Sequence, residues 1–130
     1  MPISSLDHFT VLTKDTERTV TFYRIVLGLE RGPRPAFDFP GAWLYSGDKA
    51  VLHIVERRAP PKETGVLDHI AFRGENLSSF LGRLIAEGLR YDLRRLPEPG
   101  HAGGTWQLFF SDPNGARIEI DFDKSEIADL

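Results

Sequence analysis

The chain has 130 residues, 41% hydrophobic and 27% charged, with a formal net charge of −3, which fits one compact folded unit and excludes a disordered segment. Sixteen basic residues against nineteen acidic ones, with no long block of either sign, exclude the basic stripe of a nucleic-acid partner, and no apolar run approaches the roughly 18 residues of a membrane span. The absence of Cys excludes disulfides, thiolate ligands and a Cys nucleophile, leaving imidazole and carboxylate as metal donors, and with no secretion signal the expected location is cytoplasmic.

A short strand comes first, with Leu6, His8, Thr10 and Leu12 alternating against Asp7, Phe9 and Val11. A helix follows from about Thr16 to Leu27, with Asp15 as its N-cap, Val20, Tyr23, Val26 and Leu27 as its apolar set, and Gly28 as its stop. Three strands are expected next, around Leu29–Arg31, Trp43–Ser46 and Ala50–Val55. The charged, Pro-rich stretch that follows lacks periodicity and reads as a linker.

The same order then repeats. A strand begins at Leu67, and a second helix is capped by Asn76 and ended by Gly88, its stripe being Leu77, Phe80, Leu81, Leu84 and Ile85. Strands are expected at Arg90–Arg94, Thr105–Ser111 and Ala116–Phe122, the last two joined by the turn Asp112-Pro113-Asn114-Gly115. Trp106, Leu108 and Phe110 are expected in the core. The reading is thus α+β, with two tandem βαβββ modules forming a curved mixed sheet, a concave site face and helices on the convex face. The first module takes residues 1–56, the linker 57–66, the second module 67–123 and a C-terminal tail 124–130.

The duplication is visible residue by residue. Leu6-Asp7-His8-Phe9 returns as Leu67-Asp68-His69-Ile70, an offset of 61, and Ala50-Val51-Leu52-His53-Ile54 matches Ala116-Arg117-Ile118-Glu119-Ile120, an offset of 66. Side chains alternate across a strand. In the last strand Ile118, Ile120 and Phe122 therefore share the face that meets a helix, and Arg117, Glu119 and Asp121 share the other. The same parity turns His53 away from Leu52 and Ile54.

A lone His on a strand is most often structural. Here three of the four His, together with Glu119, occupy duplicated positions, and a pseudo-twofold would bring all four together. His53 admits three roles: a fourth ligand, a pocket acid, base or substrate contact, or a structural group. His101 lies in a Gly- and Pro-rich loop suited either to a mobile cover or to a solvated surface turn. Gln107 and Phe109 share parity and are candidates for a cavity lining beside Glu119.

The paired βαβββ modules, the Leu-Asp-His starts, the segment from Phe22-Tyr23 to Gly28-Leu29, and Asp112-Pro113-Asn114-Gly115 running into Ile118-Glu119-Ile120 together resemble the vicinal oxygen chelate superfamily, from about Ser5 to Phe122. That superfamily includes glyoxalase I, extradiol dioxygenases and fosfomycin-resistance transferases. The resemblance implies one divalent ion per site, Zn, Fe, Mn or Ni, held by His8, His69 and Glu119, with Glu119 or His53 as the catalytic base. It also implies a small-molecule substrate bound through two neighbouring oxygens and a homodimer with sites shared between chains. The activity implied first is a glyoxalase-like lyase or isomerase. An Fe(II) extradiol-type dioxygenase suits the same triad, and a metal-independent drug-binding resistance protein is the non-enzymatic alternative. His53 departs from glyoxalase I, which carries a carboxylate at the matching position.

Overall fold

A computed structural model describes residues 5–96 and 105–128. Two compact units divide the chain, Met1–Lys62 and Glu63–Leu130, the boundary falling in the Pro-rich stretch between the repeats. In the first unit β1 (Phe9–Thr13), α1 (Thr16–Phe22), β2 (Glu30–Gly32), β3 (Gly41–Ser46) and β4 (Lys49–Glu56) form a four-stranded sheet of order β1-β4-β3-β2. The second unit has β5 (Ile70–Arg73), α2 (Leu77–Ala86), β6 (Asp92–Leu96), β7 (Thr105–Ser111) and β8 (Arg117–Asp123), with the sheet order β5-β8-β7-β6. Each sheet is mixed, because its first strand pairs parallel to its last and the other pairings are antiparallel. The fold is therefore α+β, two βαβββ modules each with its own sheet.

Parity sorts each sheet into a helix face and an open face. Leu44, Leu52, Ile54 and Val11 are buried in the first unit, where α1 packs on β3 and β4. Ile118, Ile120 and Phe122 are buried in the second, where Phe122 meets Phe80 of α2 edge to face at 5.3 Å. Each fully buried aliphatic or aromatic side chain contributes about 1.5–3 kcal/mol, so these rows fix which face turns outward. A one-residue slip would expose every one of them.

The helices begin and end as their sequences dictate. Asp15 accepts a hydrogen bond from the Arg18 N–H, and Asn76 accepts one from Ser79. Gly28 and Gly88, at φ 76° and 68°, take the left-handed conformation that ends each helix. Three expectations need correction. The last turn of the first helix, Tyr23–Leu27, is a π-helix rather than α; the wider turn buries both Tyr23 and Val26, and the Leu29 N–H reaches back to the Tyr23 carbonyl at 3.2 Å. Ile85 is 53% exposed, since the eighth residue along a stripe has drifted to the edge of the face that the sheet covers. Trp106, expected in the core, is half-buried, its indole N–H donating to the Glu126 carbonyl at 2.9 Å; an indole needs a partner when it is covered, and the chain end supplies one.

Candidate metal centre

In the second unit His69 stands one residue ahead of β5 and Glu119 lies in β8, where it is aligned with Ala71 and Phe109. His69 is thus two residues from register with Glu119, on the same side of the sheet, and its Nε2 lies 2.9 Å from Glu119 Oε1. Its other ring nitrogen, Nδ1, donates to Asp68 Oδ2 at 2.8 Å. Gln107 donates from its amide to the second Glu119 oxygen at 3.3 Å, and Phe109 meets the His69 ring edge to face at 6.1 Å. Although Glu119 is on the face opposite Ile118 and Ile120, it is only 6% exposed. A buried carboxylate is costly unless it is paired.

The first unit repeats the placement with different chemistry. His8 precedes β1 by one residue, and its Nδ1 contacts Asp7 Oδ2 at 2.7 Å. That hydrogen bond holds the Asp7 carboxyl below its usual range. His53 takes the place that Glu119 has in the second unit, two residues from register with His8, since Thr10 is aligned with His53. The His8 and His53 rings stack at 3.7 Å with 15° between planes, and Trp43 covers the opposite face of His53 at 3.9 Å. Burial between these rings, with the neighbouring His8 charge second, pushes the His53 imidazole below its ordinary value.

The structure therefore brings His69 together with Glu119, Gln107 and Phe109, and His8 together with His53. His101 lies outside the described residues. Among the described residues no group of three or more His, Asp or Glu side chains that could hold an ion is gathered. Sequence reasoning missed Asp7 and Asp68 as partners of the imidazoles, although the repeated Asp-His pair was the available signal. It also gave no role to Trp43, whose signal was its place opposite His53.

The donors present fit a divalent ion. A carboxylate only accepts, so His69 Nδ1–H donates to Asp68; with the ring neutral, the Nε2 lone pair then faces Glu119 Oε1. Two such electron-rich atoms at 2.9 Å repel unless a proton or a cation stands with them. Two donors each about 2.1 Å from an ion and at right angles are about 3 Å apart, and imidazole with carboxylate suits Zn, Fe, Mn or Ni.

The family model for the Glyoxalase/Bleomycin resistance protein/Dioxygenase superfamily matches residues 5–120. The chain belongs to this superfamily. Among superfamily members it is 35% identical over 125 residues to Glyoxylase I 4 of Arabidopsis thaliana, across 91% of this chain and 70% of that one. A glyoxalase family protein from Bacillus anthracis is 25% identical and superposes with a TM-score of 0.75, covering 94% of this chain and 97% of the other. The fosfomycin resistance protein FosX of Listeria monocytogenes, solved with Mn(II) and 1S,2S-dihydroxypropylphosphonic acid, shares the fold at a TM-score of 0.73 and 20% identity, covering 95% of each chain. No helix among the described residues is long and apolar enough to cross a membrane.

Proposed function

We propose that the chain is a divalent-metal-dependent enzyme of glyoxalase-like type, a lyase or isomerase whose small-molecule substrate offers two neighbouring oxygens. His8, His69 and Glu119 are the ligands in this reading, completed across two chains of a homodimer, and the superfamily membership supports that arrangement. The observation that carries the proposal is the His69 ring held between two carboxylates, Asp68 at 2.8 Å and Glu119 at 2.9 Å, a geometry that calls for positive charge beside Nε2. The similarity to a protein named Glyoxylase I 4 favours isomerase or lyase chemistry over oxygen insertion.

When bound, the ion supplies Lewis-acid polarisation of the substrate oxygens. The chain's own groups do the rest. Asp7 and Asp68 fix the tautomer and direction of their imidazoles, a task that outer partners commonly perform for metal-ligating His. The Gln107 amide holds one oxygen of Glu119 and so limits its rotation. His53 is assigned to moving a substrate proton rather than to ligation, because a ring nitrogen binds in its own plane. Two rings stacked 3.7 Å apart and 15° from parallel direct those planes side by side, not to one point.

An anaerobic screen of chelator-stripped protein reloaded with Fe(II), Mn(II), Ni(II) or Zn(II) tests the reading. The hemithioacetal of a 2-oxoaldehyde with a thiol should be isomerised only after reloading, and Glu119→Gln should lose that turnover. Full activity in the stripped protein would sink the proposal. In a parallel assay with oxygen admitted after reloading, oxygen uptake with catechols, restored by Fe(II) alone, would replace it with the dioxygenase reading.

A further inference from the structure

A cavity of about 520 Å³ in the second unit is lined by residues that include Arg90, Tyr91, Arg94, Phe109, Ser111 and Arg117. Its position follows from register. Asp92 pairs with Phe109, Arg94 with Gln107, Ser111 with Arg117, and Phe109 with Glu119. Directly paired residues share a sheet face, so Arg94, Phe109 and Arg117 belong to the same face as Glu119. Phe109 is common to both places, lining the cavity and standing 6.1 Å from the His69 ring.

Three arginines and one carboxylate, Asp92, line this cavity. The guanidiniums of Arg94 and Arg117 lie 4.9 Å and 4.8 Å from the centre of the Phe109 ring. Arg94 is neutralised by Asp92, at 2.7 and 2.8 Å. Among the described residues no carboxylate pairs with Arg90 or Arg117. A guanidinium beside an aromatic ring still has N–H donors to offer, and its planar fork matches a carboxylate or phosphonate. A volume of this size is within the range of small-molecule sites.

We infer that this cavity binds the anionic group of the substrate, with Arg117 as its principal contact and Phe109 as the floor. Calling the occupant a substrate rests on the proposed metal-dependent reading; the anion site itself does not. Arg117 and Glu119 are two residues apart on one strand, so their Cα atoms are about 7 Å apart and their side chains leave the same face. The substrate class is then a short molecule with an oxyanion at one end, carboxylate or phosphonate, and two neighbouring oxygens a few bonds away.

The test titrates chelator-stripped, full-length protein separately with acetate, methylphosphonate and inorganic phosphate at constant ionic strength in chloride, following backbone amide and Arg Nε–H resonances. Saturable shifts at Phe109, Ser111 and Arg117 are expected, and the tightest probe names the anion. Arg117→Gln should raise the dissociation constant by about tenfold or more and Arg117→Lys by less, because Lys keeps the charge but not the fork. Linear shifts, or saturation unchanged in a folded Arg117→Gln variant, would overturn the inference. The two readings fail separately. Arg117→Gln should still bind a divalent ion, and Glu119→Gln should lose the ion while still binding the anion.

Discussion

Each imidazole proposed as a ligand has an aspartate immediately before it in the chain, and both pairs are closed by a hydrogen bond, 2.7 Å at His8 and 2.8 Å at His69. In regular strand, adjacent side chains face opposite ways and could not meet. They meet here because His8 and His69 sit just outside the strands they introduce. If these aspartates orient the ligands, Asp68→Asn should weaken divalent-ion affinity by about 10–100-fold without abolishing it, as loss of an outer partner does elsewhere. Calorimetric titration with Zn(II) or Mn(II) measures this, and an unchanged affinity would reduce Asp68 to a surface contact. The His and Glu positions were legible in the sequence because duplication marks them. The aspartates were quoted in the same motif, yet strict alternation assigned them to the other face. Arg117 was placed on the Glu119 face by parity; its meaning emerges only with Phe109 beneath it and no carboxylate beside it.

At the scale of elements, the second helix shows how much of a start signal can lie far away in the chain. Asn76 caps it from φ 66°, a left-handed backbone for a non-glycine residue, and Glu126 accepts from the N–H groups of both Asn76 and Leu77, at 2.9 and 3.1 Å. Asn76→Ala loses the cap and strains a Cβ, for a cost of about 2 kcal/mol, whereas Asn76→Gly relieves the backbone and should cost less than about 0.5 kcal/mol. Glu126→Ala uncovers two N–H groups at the positive end of the helix and should cost about 1 kcal/mol. Urea unfolding midpoints order the three variants, and equal losses in Asn76→Ala and Asn76→Gly would contradict the strain argument. The first helix is entered similarly, with Glu56 accepting from the Thr16 N–H and hydroxyl. Asn76, Gly28 and Gly88 could be read locally because caps are local chemistry. The partners Glu56 and Glu126 are 40 and 50 residues away from the groups they cap, and the π turn answers to the packing of Tyr23 and Val26, so neither could be read from periodicity.

For the whole molecule, the two units place different groups at matching positions: an imidazole with a stacked His53 in the first, and an imidazole with a buried carboxylate in the second. The duplicated βαβββ order was readable at a distance because the offset between repeats shifts only from 61 to 66. A ligand set completed from a second chain, as proposed, was not readable, since periodicity describes faces within a module and not the partner that a face meets. Sites shared between chains predict a specific rescue. Mixing His8→Ala chains with Glu119→Ala chains should restore one ion site in each mixed dimer, whereas sites formed within one chain would recover none; metal content of the re-equilibrated mixture distinguishes them.

The central claim is that one divalent ion is held by His8, His69 and Glu119, and the metal content of protein purified without chelator tests it most directly. One ion per chain is expected in the wild type and in His53→Ala, with loss of that ion in Glu119→Gln and His69→Ala. An ion retained at full stoichiometry in a folded Glu119→Gln protein would contradict it.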